Sequence, residues 1–182
     1  MNTLSRILSR KNIEIFTLIA EEECSLRDIA EKLKCSPGKV HQAVTLFKNY
    51  NLIKVQKKKN KHLLSPNRKN PLSNTIKALL NIHQLLSSHA YKKLQKIGVV
   101  GVYGSYARGT DTQQSDVDVL ILTTIKELKV REHIRLLETE LHKRVNPLIM
   151  TKSQLQSLER RDPAFYFRLT LTTIPLHGEI FD

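Results

Sequence analysis

An apolar, β-branched run, Ile97-Gly98-Val99-Val100-Gly101-Val102-Tyr103, stops at Gly104-Ser105, and a second run, Val117 to Leu122, begins behind Asp116 and carries Asp118. Runs of this length and composition read as buried strands. The chain must therefore place two apolar strands on either side of one short loop. Gly104-Ser105 ends the first strand. If Ser105 opens a short helix, its hydroxyl and the backbone N–H groups face an anion. Side chains two apart on a strand share a face, so Asp116 and Asp118 converge on one point. Two hard oxygen ligands beside a phosphate cradle suit Mg²⁺, which is usually bound by one or two carboxylates plus substrate phosphates. Taken singly, Gly104 also reads as a turn glycine, Ser105 as a helix N-cap, and the aspartates as solvated residues at a strand edge. Two acids on one face repel each other unless something neutralises them.

Tyr103-Gly104-Ser105 followed by Asp116-Val117-Asp118-Val119 resembles the DNA polymerase β-like nucleotidyltransferase superfamily. Its signature is a hydrophobic residue, Gly-Ser, a spacer, then Asp-hydrophobic-Asp-hydrophobic. The finer form, Gly104-Ser105-Tyr106-Ala107-Arg108-Gly109 with Ser115-Asp116, is similar to the minimal nucleotidyltransferase branch. The likeness extends to Asn146–Met150 and Ile174–Glu179 and covers roughly residues 72–182. The resemblance implies an α+β domain with a mixed sheet and flanking helices. It also implies a nucleoside triphosphate (ATP is the expected one) with Mg²⁺ or Mn²⁺. The expected catalytic and metal-binding residues are Asp116 and Asp118. Nucleotide binding would fall to Gly104, Ser105, Arg108 and Ser115.

Transferases of that superfamily carry a third carboxylate on a later strand. The matching strand here is Arg144-Val145-Asn146-Pro147-Leu148-Ile149, and Asn146 stands at the acid's place. An amide offers a carbonyl oxygen but neither charge nor base. Glu138 and Glu140 on the preceding helix are alternative acids or solvated side chains. Phosphoryl-type transfer rests mostly on positioning and electrostatics, so a two-carboxylate site is slow rather than dead. The guanidinium of Arg108 can bind phosphate bidentately or form a salt bridge to Asp111 or Asp116. Thr110 and Ser115 can orient the loop.

The chain has 182 residues, a net charge of +13 and two cysteines, Cys24 and Cys35. No apolar run approaches the ~20 residues of a membrane helix, and the first residues lack a signal peptide's order. A cytoplasmic protein without a membrane or zinc site is expected, with each cysteine a reduced core residue. Residues 1–69 hold 15 basic and 6 acidic side chains, net +9, whereas residues 70–182 hold 15 and 11, net +4. The basic first part points to a polyanion partner, or else to a generic soluble surface.

Ile13, Phe16, Ile19 and Ala20 share one helical face. Ser25 then caps a short helix with Leu26, Ile29, Ala30 and Leu33 inward. Ser36 and Pro37 open a third helix to about Asn49, with Val40, Val44, Leu46 or Phe47, and Tyr50 as its buried stripe. Leu52–Gln56 and His62–Leu64 read as a hairpin with a lysine-rich tip, Lys57–Lys61. Residues 12 to 66 resemble winged helix–turn–helix regulators of the bacterial and archaeal type. Such a fold implies double-stranded DNA as the partner, with the third helix in the major groove. Its polar candidates are Ser36, Lys39, His41, Gln42 and Thr45. The hairpin candidates are Lys57, Lys58, Lys59 and Lys61, which would meet phosphate rather than bases. For each of these the alternative is a solvated side chain.

The expected organisation is a winged helix–turn–helix domain at 1–66, a linker and connecting helix at 67–95, and a minimal nucleotidyltransferase domain at 96–182. The connecting helix runs from about Ser73 to Leu94 with Ile76, Leu79, Leu80, His83, Leu86 and Ala90 along one side. Lys126–His142 reads as a helix with Leu128, Ile134, Leu137 and Leu141 toward the sheet, and helices begin at Thr151 and at Asp162-Pro163. Arg160, Arg161 and Arg168 read as solvated unless they face the ligand. Homodimerisation fits a winged reader. By analogy with antitoxin-like members, the resemblance implies nucleotidyl transfer to a hydroxyl of a protein, such as a toxin partner, or of another acceptor. The alternative is a regulator or antitoxin whose degenerate transferase domain senses nucleotide or binds a partner.

Overall fold

The computed structural model describes residues 2–58 and 61–181, and its contacts divide the chain into two compact units, residues 1–77 and 78–182. Lys59, one of the hairpin candidates, lies outside the described residues.

The first unit holds four helices and a hairpin. Helix α1 spans Thr3–Ile7, α2 Arg10–Glu21, α3 Leu26–Lys32 and α4 Pro37–Asn49. Strands β1, Ile53–Lys58, and β2, Lys61–Pro66, pair antiparallel. The helix starts follow from their caps. Ser25 Oγ accepts from the Asp28 amide while Asp28 Oδ2 accepts from the Ser25 amide, a reciprocal capping box. Ser36 Oγ accepts from the Lys39 amide, and Pro37 takes the first helical position. The core is built from Ile15, Phe16, Ile19, Ile29, Val40, Val44, Phe47, Leu52 and Leu64. Phe16 and Phe47 meet edge to face at 5.6 Å.

Two stripes differ from the periodicity. On α2, Ile15 is buried while Ile13 and Ala20 are only half-buried, so the stripe centres on Ile15-Phe16-Ile19. On α4, Ala43 is buried and Tyr50 is exposed. Tyr50 lies past the last helical residue, where its hydroxyl meets Thr3 Oγ1 at 3.3 Å. Cys24 is buried, and burial pushes its thiol up to about 11; Cys35 is half-exposed rather than a core residue.

Helix α5, Pro71–Ser87, is followed by α6, His89–Leu94. One continuous helix was the expectation. Ser88 breaks it: its backbone turns extended and its Oγ accepts from the Tyr91 amide, starting a new helix. The expected apolar stripe of α5 also turns outward, with Leu79, His83 and Leu86 exposed. Of the expected stripe Ile76 and, in α6, Ala90 are buried, and the buried side of α5 otherwise carries Asn81 and Leu85. The reason is polar. Asn81 Nδ2 donates to the Tyr106 carbonyl and to Asp111 Oδ1, each at 2.8 Å, and a buried amide so satisfied fixes the helix's rotation.

The second unit continues with β3 (Val99–Tyr103), α7 (Gly104–Arg108), β4 (Val117–Leu122), α8 (Glu127–Leu141) and β5 (Val145–Met150). It closes with α9 (Lys152–Arg161), α10 (Pro163–Thr172) and β6 (Ile174–His177). The strand order is β5-β4-β3-β6; β4 and β5 run parallel and the other pairs antiparallel, giving the mixed sheet. Both edge strands carry a proline, Pro147 and Pro175, which hinders further strand pairing. Val117, Val119 and Ile121 point to the core shared with α6 and α8. Leu120 and Leu122 point to the opposite face, packed with Tyr103, Leu155 and Tyr166. On α8, Val130 takes the inward place expected of Leu128, which is 74% exposed one position into the helix. No helix among the described residues is long and apolar enough to cross a membrane.

Candidate functional site

Strand β3 delivers Tyr103 opposite Asp118 in the β3–β4 register, and the chain turns at Gly104 with φ of +73°. That left-handed backbone favours glycine. The second reason for glycine is space: a Cβ at this position would collide with Asp118 Oδ2. The carboxylate of Asp118 therefore sits directly on the turn that opens α7. The hydroxyl-bearing Ser105 follows in the first turn of α7, half-buried. Gly109, with φ of +66°, ends the helix after Arg108.

Asp118 is the second residue of β4 and shares the face of Leu120 and Leu122. Asp116 immediately precedes the strand, half-buried. In the parallel β4–β5 register Asp118 stands beside Asn146, and Asn146 Nδ2 donates to Asp118 Oδ1 at 3.0 Å. Glu138 and Glu140 do not replace the missing acid here. Glu138 Oε1 accepts from the Val145 amide at 2.9 Å and Glu140 Oε2 from the Ala90 amide at 3.2 Å. Both carboxylates are spent on backbone groups.

The loop between the two motifs is anchored from below. Asp111 is 1% exposed; besides Asn81, it meets Lys143 Nζ at 3.5 Å. Lys143 also donates to the Thr112 carbonyl at 2.8 Å. Ser115 closes the loop on itself, its Oγ accepting from the Thr112 amide at 2.8 Å. Arg108 is exposed and has no carboxylate within 4.0 Å among the described residues, so neither Asp111 nor Asp116 neutralises it. Periodicity carried no sign of the Asn81–Asp111–Lys143 network. The signal available was a charged residue, Asp111, two positions after the Gly109 turn.

Tyr103, at the end of β3, packs against the Leu120, Leu122 and Leu155 cluster, as does Tyr166 of α10. Burial raises the Tyr103 hydroxyl pKa, the Asp118 charge raises it further, and the Arg168 charge lowers it. The charge of Arg168 thus reaches Tyr103, whereas solvent was its default reading.

The donor set fits Mg²⁺ in one way only. No group of three or more His, Cys, Asp or Glu among the described residues could hold a metal. Two carboxylates, Asp116 and Asp118, suffice for Mg²⁺ when substrate phosphates complete the shell. Asn146 can add an oxygen only by turning its amide over.

In the first unit, Ser36, Lys39, His41, Gln42 and Thr45 are all exposed around the first half of α4. Lys57, Lys58 and Lys61 are exposed on the hairpin. Two of these are engaged. Lys58 Nζ lies 2.5 Å from Glu23 and Lys61 Nζ 3.9 Å from Asp28.

Residues 88–170 match the family model described as a nucleotidyltransferase domain. The match contains β3, α7, β4 and β5, hence Gly104, Ser105, Asp116, Asp118 and Asn146. Residues 7–68 match a second family model, described as HVO_A0114. No curated protein matches the chain.

Proposed function

We propose that this chain is a DNA-binding protein whose second unit binds a nucleoside triphosphate with Mg²⁺ and transfers its nucleotidyl group to a hydroxyl. The observation that carries the reading is the contact of Gly104 with Asp118 inside the matched nucleotidyltransferase segment. It brings the Gly104-Ser105 turn and a metal-binding carboxylate to one point, which nucleotidyl transfer requires. Gly104 and Ser105 hold the phosphates, Arg108 offers its unpaired guanidinium to them, and Asp116 and Asp118 hold the metal. Bound there, Mg²⁺ supplies charge neutralisation on the phosphates. In the step itself an acceptor hydroxyl oxygen bonds to the α-phosphorus, the bond to the β-phosphate oxygen breaks, and pyrophosphate leaves. The hydroxyl proton passes to water, because Asn146 cannot take it. The acceptor we expect is a protein hydroxyl, such as that of a toxin partner, and ATP is the expected nucleotide.

DNA binding by the first unit is supported by the net charge of +9 on residues 1–69 and by the polar, exposed half of α4. A homodimer reading two half-sites accords with this.

One observation favours a second reading, a nucleotide sensor without transfer. The Asn146 amide fills the place of a carboxylate and bonds Asp118. Incubation with each α-³²P nucleoside triphosphate, Mg²⁺ or Mn²⁺ and cell lysate separates the two. Label on protein or nucleic acid that disappears in Asp116→Asn/Asp118→Asn establishes transfer. Mg²⁺-dependent nucleotide binding by calorimetry without label establishes the sensor. Neither label nor binding overturns both.

A further inference from the structure

Helix α7 is five residues long, too short to hold its shape alone. Its place is set by what grips it, and the grip is on the fully buried Tyr106. The carbonyl and the hydroxyl of Tyr106 both meet one residue of α5. The carbonyl accepts from Asn81 Nδ2 at 2.8 Å, and the hydroxyl donates to the Asn81 carbonyl at 3.1 Å. Asn81 Nδ2 also donates to Asp111 Oδ1 at 2.8 Å. An amide nitrogen carries two N–H groups, and here one serves each side of the turn at Gly109. Lys143 continues the chain of contacts. Its Nζ meets Asp111 Oδ2 at 3.5 Å and donates to the Thr112 carbonyl at 2.8 Å. The next residue, Arg144, accepts the Val117 amide on its carbonyl at 2.9 Å. Asp111 joins the two sets: Asn81 ties it to α7, and Lys143 ties it to the stretch that leads into Asp116.

We propose that Asn81 is a positioning residue of the nucleotide site, setting the spacing between the Gly104-Ser105 turn and the carboxylates of Asp116 and Asp118. The proposal rests on the nucleotide reading above and deepens it. Asn81 acts through Tyr106, the residue after Ser105, and through Asp111, five positions before Asp116. A triphosphate spans the turn and a metal held by the aspartates only when both halves keep their distance. Misplacement of such a constellation by ~1 Å costs about 10²-fold. An apolar side chain of similar size offers no donor, so the Tyr106 carbonyl and Asp111 lose their shared tether.

The test is calorimetry on the full chain, with ATP titrated at fixed Mg²⁺ and well below the melting temperature of each variant. The variants are Asn81→Leu, Asn81→Ser and a destabilised control, Ile134→Ala, in the core beneath α8. A residue that only supports the fold lowers the fraction of competent molecules, hence the binding stoichiometry, and leaves their affinity unchanged. A positioning residue lowers the affinity at unchanged stoichiometry. The expected result is a loss of at least tenfold in MgATP affinity in Asn81→Leu at full stoichiometry, with a higher Mg²⁺ concentration for half-maximal binding. Asn81→Ser keeps one donor and loses less, and Ile134→Ala melts lower yet stays within twofold of wild type. A loss under threefold in Asn81→Leu, or a reduced stoichiometry at wild-type affinity, overturns the proposal and leaves the nucleotide reading intact. An equal loss of affinity in Ile134→Ala overturns it too, because any weakening of the core would then suffice. If Asn81→Leu does not fold, Asn81→Ser decides by the same threefold mark. A wild-type chain that binds no MgATP overturns both the proposal and the nucleotide reading.

Discussion

Asn146 Nδ2 donates a 3.0 Å hydrogen bond to Asp118 Oδ1 across neighbouring positions of two parallel strands. One lone pair of the carboxylate proposed to hold the metal is thereby engaged by an N–H, and the neighbour brings no charge. Asn146→Asp converts this pair into two adjacent carboxylates. A unit charge ~4 Å away is worth about 4 kcal/mol at an effective dielectric of ~20 before desolvation, so the gain in Mg²⁺ affinity should be at least ~10-fold. We expect the Mg²⁺ concentration for half-maximal nucleotide binding to fall, and metal-free nucleotide binding to weaken. A Mg²⁺ titration followed by calorimetry reads both. An unchanged half-saturation would mean that Asp118 is not a metal ligand.

Gly104 is tied to the same carboxylate. Gly104→Ala places a Cβ into Asp118 Oδ2 and forces a side chain into left-handed backbone. The backbone contribution alone costs ~1–2 kcal/mol, and the collision displaces Asp118 or the turn. The expected outcome is a lowered melting temperature together with loss of Mg²⁺-dependent nucleotide binding. Thermal denaturation and calorimetry on one preparation would show it. A variant that melts lower yet binds MgATP normally would separate the turn from the site.

Much of this site was readable in the residues, because its parts are local in sequence. A β-branched run cut by Gly104-Ser105 gives the turn, and Val117–Leu122 and Val145–Met150 are strands with the bounds their composition suggests. Helix faces were less readable. Ile13 and Tyr50 fit a 3.6-residue stripe, but tertiary packing chose Ile15 and Ala43 instead. On α5 the apolar residues Leu79 and Leu86 gave the wrong side, since the amide of Asn81 decides the rotation and a hydrogen bond to Tyr106 and Asp111 has no periodic signature. Ser88 was a cap hidden in a helical pattern. Only the fold brings the charge of Arg168 within electrostatic reach of Tyr103, far away in sequence.

Asp111 and Lys143 give a prediction about the loop. Their ion pair is buried on the acid side, 1% exposed against 17%. Removing one partner of a buried pair costs ~3–5 kcal/mol, whereas replacing both by apolar groups is often tolerated. Asp111→Leu should therefore lower the melting temperature strongly, and Asp111→Leu/Lys143→Met should recover much of it. Thermal denaturation of the single and double variants decides the matter. Equal destabilisation in both would show that the hydrogen bonds from Asn81, rather than the charges, hold the loop.

The Ser25–Asp28 capping box adds a pH dependence. The Ser25 backbone and hydroxyl bonds, with the charges of Lys61 and Lys32, hold the Asp28 carboxyl below its usual range. A depressed folded pKa gives stability that is present above the unfolded value and lost as pH falls through the folded one. Wild type should therefore exceed Asp28→Asn in melting temperature near neutral pH. The gap should shrink as pH drops below ~3.9, the ordinary aspartate value. A constant gap across an acid titration would remove the charge from the explanation and leave only the side-chain bond.

The first unit offers a contrast between lysines that look alike in sequence. Lys58 is held by Glu23 at 2.5 Å, whereas Lys39, in the first turn of α4, is exposed and has no acidic partner among the described residues. A phosphate contact lowers the slope of log affinity against log salt by ~0.9 when it is lost. Lys39→Ala should therefore weaken binding to duplex DNA and flatten the salt dependence by about that amount, while Lys58→Ala changes both less. Gln42 is exposed one turn on, and an amide paired to adenine discriminates by ~1–3 kcal/mol. Gln42→Ala should relax sequence preference with little change in salt slope. Fluorescence anisotropy on a duplex selected from a random pool by the wild-type chain, run at several salt concentrations, measures all three. If Lys58→Ala has the larger effect, the hairpin breaks its pair with Glu23 to meet DNA, and α4 is not the reading helix.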